Sequence, residues 1–198
     1  MMPHYQLETS RLILRQWQDS DFAKFAQLNA NSQVMQYFPH YLSCEESDLL
    51  ATRFHNLIEQ NQWGFWAVEL KATQQFIGFV GLHSQPEQFL FSPCVEIGWR
   101  LDQKHWHQGY ATEAAYACLL FAFEYLKLTK IVSFTACVNL ASTKVMQRLK
   151  MNYVQIFNHP NLMENHPLSQ HVLYEITQDQ FRLNTQKLNE FYIKIKYL

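Results

Sequence analysis

Between Ala111 and Leu128 runs the stretch ATEAAYACLLFAFEYLKL, which fits a helix that is apolar nearly all round. Such a helix has to be buried on most of its sides, so the rest of the chain must wrap it. Three apolar, β-rich runs come shortly before it: GFWAVEL, QFIGFVGLHS and CVEIGWRL. Polar or proline-containing turns separate them, and they read as consecutive antiparallel strands. With 48% hydrophobic and 15% aromatic residues among 198, the chain is expected to fill one sizeable core rather than remain disordered.

The remaining segments alternate. RLILRQW (11–17) has the period of a half-buried strand. DSDFAKFAQLNANSQVMQYF reads as one helix, with Asp19 or Ser20 as its N-cap, and CEESDLLATRFHNLIEQNQ as a second. After the apolar helix, KIVSFTACV is a strand and NLASTKVMQRLK a helix capped by Asn139. NYVQIFN and HVLYEIT close the sheet. The tail QFRLNTQKLNEFYIKIKYL reads as a final helix.

Several function classes are excluded at this stage. A formal net charge of −1 gives no electrostatic case for nucleic acid or an anionic membrane. Cys44, Cys94, Cys118 and Cys137 form no CxxC pair and are expected as reduced, partly buried thiols, with no metal. His159, His166 and His171 read as parts of a loop rather than ligands. The N-terminus lacks the charged and apolar regions of a signal peptide, and no apolar run is long enough to span a bilayer. A soluble, cytoplasmic protein is expected. There is no GxxxxGK[ST] or GxGxxG phosphate loop.

With five glycines in the whole chain, Gly109 in HWHQGYATEAA stands out, lying between the strand VEIGWRL and the start of the apolar helix. A helix N-terminus presents unpaired N–H groups and partial positive charge, which suits a phosphate. Glycine would permit close backbone approach, Ala111 would keep the first turn open, and Thr112 would add a hydroxyl donor. An ordinary strand-to-helix turn fits the same residues.

The segment WHQGYATEA resembles the pyrophosphate-binding loop of the GNAT superfamily of acyl-CoA-dependent N-acyltransferases. Trp106 at its head, followed by Gly109, Ala111 and Thr-Glu-Ala, is similar to the RimJ/RimL branch. LETSRLILRQWQDSDF and NLASTKVMQRLKMNYV resemble that branch's opening strand and helix and its Asn-x-x-Ser motif at Asn139 and Ser142. The resemblance covers roughly residues 5–177. It implies an α+β, GNAT-like fold with a mixed, mostly antiparallel sheet flanked by helices and a splayed V at the central parallel strands. Residues 1–178 would form that domain, and 179–198 a helical tail docked on the same body or on a partner.

The same resemblance implies acetyl-CoA as co-substrate and an amine acceptor, small molecule or peptide N-terminus, attacking the thioester directly in a ternary complex. The protein would be a monomer or homodimer. Cofactor contacts would come from Ile97, Gly98 and Trp99 on the central strand, from His107, Gln108, Gly109, Tyr110, Ala111 and Thr112, and from Asn139 and Ser142. The central strand would open at a bulge, with Gly98 supplying the flexibility, so that a backbone N–H meets the acetyl oxygen. Glu96 is the first candidate for the base, with solvent exposure or pairing to Arg100 as its alternative roles. His83 is the second, with a structural histidine as the alternative. Ser142 would meet the sulfur or pantetheine, or simply cap a helix.

Two departures stand out: Lys150-Met151 where the family usually has Gly-Phe, and Met146 where many members carry a tyrosine that protonates the thiolate. These favour, as an alternative, a non-catalytic acyl-CoA-binding domain. Trp63, Phe65 and Trp66 are expected in the sheet core, with one ring available to the acceptor pocket. The loop between the last two strands is expected to wall that pocket.

Overall fold

Continuous apolar runs bounded by turn residues, FWAVEL and QFIGFVGLHSQ, form buried strands here. The computed structural model describes residues 3–185 and 192–198, which contain nine strands in one sheet and six helices. The strands are β1 (Tyr5–Glu8), β2 (Leu12–Arg15), β3 (Phe65–Leu70), β4 (Gln75–Gln85), β5 (Cys94–Leu101), β6 (Lys130–Ala136), β7 (Asn152–Asn158), β8 (Gln170–Thr177) and β9 (Lys194–Tyr197). Their order is β7-β8-β6-β5-β4-β3-β2-β1-β9. Every neighbouring pair is antiparallel except β5 and β6.

Helices cover both faces. On one lie α1 (Asp19–Asn29), α2 (Ser32–Met35) and α3 (Cys44–Asn61), with α1 packed on α3 and β4, and α3 on β3. On the other lies α4 (Tyr110–Glu124), packed on β4 and β5, with α5 (Leu140–Arg148) beside it. As expected, α4 is the most enclosed helix: Leu119, Phe121 and Phe123 are fully buried. Each contributes about 1.5–3 kcal/mol through burial. Within α4, Cys118 is sealed in and its thiol is pushed up by desolvation, whereas Cys44 at the head of α3 is exposed. No helix among the described residues is long and apolar enough to cross a membrane.

Four local expectations differ from the structure. The first predicted helix is two, because the Asn31 side chain accepts the Gln33 and Val34 amides and starts α2 afresh. The N-cap of α1 is Gln18 rather than Asp19 or Ser20; its N–H donates to Asp21 at 2.9 Å. The tail is not a single helix: α6 (Gln178–Thr185) is followed, after residues that are not described, by β9, which pairs with β1 from Tyr5↔Tyr197 to Glu8↔Lys194. Ile193 and Ile195 pack against the core while Tyr192 is exposed; Phe191 lies outside the described residues.

The fourth is Gly98. Register between β4 and β5 is unbroken from Gly78↔Leu101 to Gln85↔Cys94, so no bulge sits there. Glycine is needed for another reason: a Cβ at 98 would meet the Phe65 ring at 3.2 and 3.3 Å.

Candidate active site

The loop after β5 is shaped by its own polar groups. Trp106 Nε1 donates to the Leu101 carbonyl at 2.8 Å, which folds the chain back on the strand it has just left. His107 (φ 60°) and Gly109 (φ 82°) are both left-handed. A Cβ on Gly109 would find only the Arg11 guanidinium, at an ordinary 3.5 Å, so backbone conformation rather than crowding calls for glycine. The first helical bond of α4 runs from Glu113 N–H to the Gly109 carbonyl at 3.0 Å, and no side chain caps the helix. The Tyr110, Ala111 and Thr112 amides are thereby left without helical acceptors, an arrangement suited to an anion.

This helix start is tied to the opposite end of the sequence. Glu113, 1% exposed, accepts from Thr9 Oγ1 (2.6 Å), from the Arg11 amide (3.0 Å) and from Arg11 Nε and Nη2 (both 2.6 Å). The same guanidinium donates from Nη1 to the Gln108 carbonyl at 3.0 Å and lies over the Tyr110 ring. The two segments so joined, LETSR and ATEA, lie about 100 residues apart in sequence.

Next to this loop the sheet opens. β5 and β6 share one paired position, Glu96↔Val132. One residue on, the Ile97 carbonyl is bonded by the Ser133 hydroxyl at 2.9 Å, a side chain filling in as the β6 backbone departs. Strand alternation turns the Trp99 amide to the same open side as the carbonyls of Ile97 and Leu101. The V is therefore present, opening on the β6 side of β5 without a bulge on the β4 side.

Across the opening, Trp99 Nε1 donates to Ser142 Oγ at 3.2 Å. Asn139 caps α5 by accepting the Ser142 amide at 3.2 Å and gives Nδ2 hydrogens to Thr135 Oγ1 (2.9 Å) and Ser142 Oγ (3.1 Å). With both acceptor positions of the Ser142 hydroxyl occupied, its own proton is left to donate. The residues that cap α5 are thus also the ones that meet Trp99 of β5.

On the α1–α3 face of the sheet, Glu96 and His83 are cross-strand partners, with His83 Nδ1 3.6 Å from Glu96 Oε1. The imidazole stacks on Phe65 (5.6 Å between centroids, 13° between planes), so the ring predicted to be sheet core also orients this pair. Both expected base candidates come together. Arg100 is not Glu96's partner; it bonds Asn29 instead.

Farther along this face, Phe89, Phe91, Phe134 and Phe157 enclose His159 and His171, whose centroids are 4.8 Å apart. Burial, reinforced by His171, pushes His159 down to about 4, and burial lowers His171 as well. Among the described residues no three His, Cys, Asp or Glu side chains are grouped to hold a metal ion. Two surface grooves, of about 470 Å³ beside Gln147 and Gln180 and about 250 Å³ beside Lys24 and Asp102, lie away from these groups.

A family model described as an acetyltransferase (GNAT) domain matches residues 11–152. The chain belongs to the GNAT family of acetyltransferases. YoaA of Bacillus subtilis, described as an uncharacterized N-acetyltransferase, is 29% identical over 149 residues, 74% of this chain and 81% of that protein. The GNAT fold is shared with a GNAT-family acetyltransferase from Bacillus anthracis (TM-score 0.75, 23% identity, 88% of this chain and 99% of that one). It is also shared with the ribosomal-protein-S5-alanine acetyltransferase of Vibrio fischeri (TM-score 0.70, 19% identity, 89% and 98%).

Within that family the two departures have structural outcomes. Met146 is fully buried, so it belongs to the core. Lys150 adopts φ 60°, its N–H bonding the Gln147 carbonyl (3.0 Å) and the Met151 N–H the Met146 carbonyl (3.1 Å). That is a Schellman C-cap, with Met146 and Met151 both buried in the core, and it keeps the shape that glycine usually provides.

Proposed function

We propose that this acetyltransferase moves an acetyl group from acetyl-CoA to a primary amine by direct attack within a ternary complex. The observation that carries the reading is the opening between β5 and β6, with different chemistry on its two sides. One side offers the Trp99 amide and the Ser142 hydroxyl; the other offers the Glu96–His83 pair.

The cofactor's pyrophosphate would lie on the amides of Tyr110, Ala111 and Thr112, with His107, Gln108 and Gly109 forming the cradle and Ile97, Gly98 and Trp99 guiding the pantetheine arm. The incoming ammonium loses its proton to His83, whose imidazolium is stabilised by Glu96 at Nδ1. The freed amine attacks the thioester carbon, and the oxyanion meets the Trp99 N–H. A preorganised donor of this kind is worth about 2.7–4 kcal/mol. As the tetrahedral intermediate collapses, the C–S bond breaks and the second proton on the nitrogen passes to the departing thiolate, giving the amide and the free thiol. Ser142 donates a hydrogen bond to that sulfur, the role left empty by Met146.

The acceptor approaches over the α1–α3 face, walled by the β7–β8 loop and the aromatic cluster around Phe134. A peptide N-terminus is the favoured acceptor class, supported by the fold shared with an enzyme named for a ribosomal-protein alanine. The test is thiol release from acetyl-CoA in the presence of a panel of peptides and small amines. Glu96→Gln should lower turnover at least tenfold while leaving acetyl-CoA affinity nearly unchanged; turnover at the wild-type rate would remove the pair from the mechanism.

A further inference from the structure

Arg100 is a cation held under cover, with no carboxylate paired to it among the described residues. It lies on the same face of β5 as Glu96 and Gly98, half-buried between aromatic rings. The Phe38 ring is 4.0 Å from its guanidinium carbon and the Phe79 ring 5.4 Å. Its Nη1 donates to Asn29 Oδ1 at 2.6 Å. Asn29 has no exposure, and its Nδ2 donates to Ser47 Oγ at 2.9 Å, which fixes the amide oxygen toward the arginine.

An aspartate in place of Asn29 would neutralise the site, but the chain puts a neutral amide there. Among the described residues no carboxylate lies within 4.0 Å of Arg100, whereas Arg11, Arg15 and Arg182 are all paired. Among the described residues neither Nε nor Nη2 has an acceptor, so the edge that matches a planar carboxylate is unpaired; Nε is itself covered, and a carboxylate that reaches both nitrogens must displace that cover. Desolvation pushes the guanidinium down to about 10, the consequence of covering a charge without pairing it. Buried charges are ordinarily paired, because an uncompensated one costs several kcal/mol.

We infer that Arg100 is the receptor for a carboxylate carried by the acceptor, so that the preferred acceptor is an acidic peptide: an N-terminal amine with Asp or Glu among the residues that follow. The inference rests on the acetyl-transfer reading for where the amine sits. Four residues along one strand separate Glu96 from Arg100, about 13 Å between Cα atoms. That span suits an extended peptide with its amine at Glu96–His83 and a side-chain carboxylate two to four residues on. Phe38, 37% exposed on the loop after α2, would close over the ion pair.

The test uses three tetrapeptide amides built on alanine, with Asp at the second, third or fourth position, each beside its Asn twin. Wild-type kcat/KM should favour at least one Asp peptide over its twin by tenfold or more. Arg100→Gln should bring that ratio near one, and Arg100→Lys, which keeps the charge but not the fork, should restore part of it. Acetyl-CoA affinity and melting temperature, measured alongside, report whether each variant is folded. A wild-type ratio near one for every pair, or a preference that survives Arg100→Gln, would overturn the assignment.

A second readout does not depend on turnover. In the ¹⁵N spectrum of the wild-type protein, the Arg100 Nε–H resonance should move on titration with the Asp peptide and stay in place with the Asn twin. If neither peptide is acetylated, the acetyl-transfer reading fails for these acceptors, and this resonance still decides for or against Arg100. Its failure to move with millimolar Asp peptide would refute the receptor.

Discussion

Arg11 and Glu113, 102 residues apart in sequence, join the turn between β1 and β2 to the first turn of α4 through two guanidinium contacts of 2.6 Å. The carboxylate is sealed while the guanidinium is nearly half exposed. The arginine therefore neutralises a buried charge at a helix N-terminus and also holds the Gln108 carbonyl of the loop that precedes it.

Removing Arg11 should consequently affect both stability and cofactor binding. Arg11→Ala leaves Glu113 buried and unpaired, a loss expected at about 2–4 kcal/mol once the exposure of the arginine is discounted. For a chain of this length the melting temperature should fall by roughly 5–10 °C. Acetyl-CoA affinity should drop about tenfold as the loop loosens. The double variant Arg11→Ala/Glu113→Gln should recover part of the stability, because it leaves no orphaned charge. Calorimetric titration and thermal melts of the wild type and the two variants check this.

Ser142 is predicted to act late in the reaction. Ser142→Ala removes the hydrogen bond to the leaving thiolate and should lower kcat roughly 10–100-fold, at or below the bottom of the range for side chains that transfer a proton. Acetyl-CoA affinity should change by less than about threefold, since the anion-binding amides of α4 are untouched. Steady-state kinetics beside a binding titration separate the two effects.

The His159–His171 pair should make stability fall on acidification. In the folded state the His159 pKa is about 4, below the ordinary value near 6.5, because burial and the neighbouring ring disfavour charge. Between pH 6.5 and 4 the unfolded chain binds protons that the folded chain does not, so stability declines as pH falls through that window. Discounted for partial exposure, the loss is about 1–2 kcal/mol, and His171 adds to it in the same sense. Melting temperature should fall from pH 7 to pH 5, and His159→Phe should flatten that slope.

Lys150 holds a left-handed conformation that costs a non-glycine residue about 1–2 kcal/mol. Lys150→Gly should therefore raise stability by about 1 kcal/mol, seen as an increase of roughly 2–4 °C in melting temperature. The Schellman bonds at Gln147 and Met146 are already made, so no rearrangement is needed.

Much of the fold was legible because α4 is apolar all round and three β-rich runs precede it. β1 and β9 escaped notice because Tyr5–Glu8 and Lys194–Tyr197 are four residues each, half of them polar. The break at Asn31 was hidden because a capping asparagine looks like any polar position in a helical pattern until its side chain is seen bonded to the next turn.

Of the candidate site, the left-handed turn at Gly109 and the cap formed by Asn139 and Ser142 were legible, because local spacing carries that information. The site was not legible at Glu113, which reads as an ordinary acidic residue in a first helical turn; its partners Thr9 and Arg11 come from the other end of the chain. Glu96 and Arg100 seemed able to pair because they share a face of one strand. Positions four apart on a strand are too distant, though, and the cross-strand neighbour His83 takes the glutamate instead.

The most direct test of the account is a calorimetric titration of acetyl-CoA into the wild-type protein beside Gly109→Glu, which sets an anion and a strained backbone at the cradle. Wild type should bind with micromolar affinity and the variant not at all, while both melt cooperatively. Absence of binding to folded wild-type protein, or equal binding by the variant, would contradict the placement of the cofactor on the N-terminus of α4.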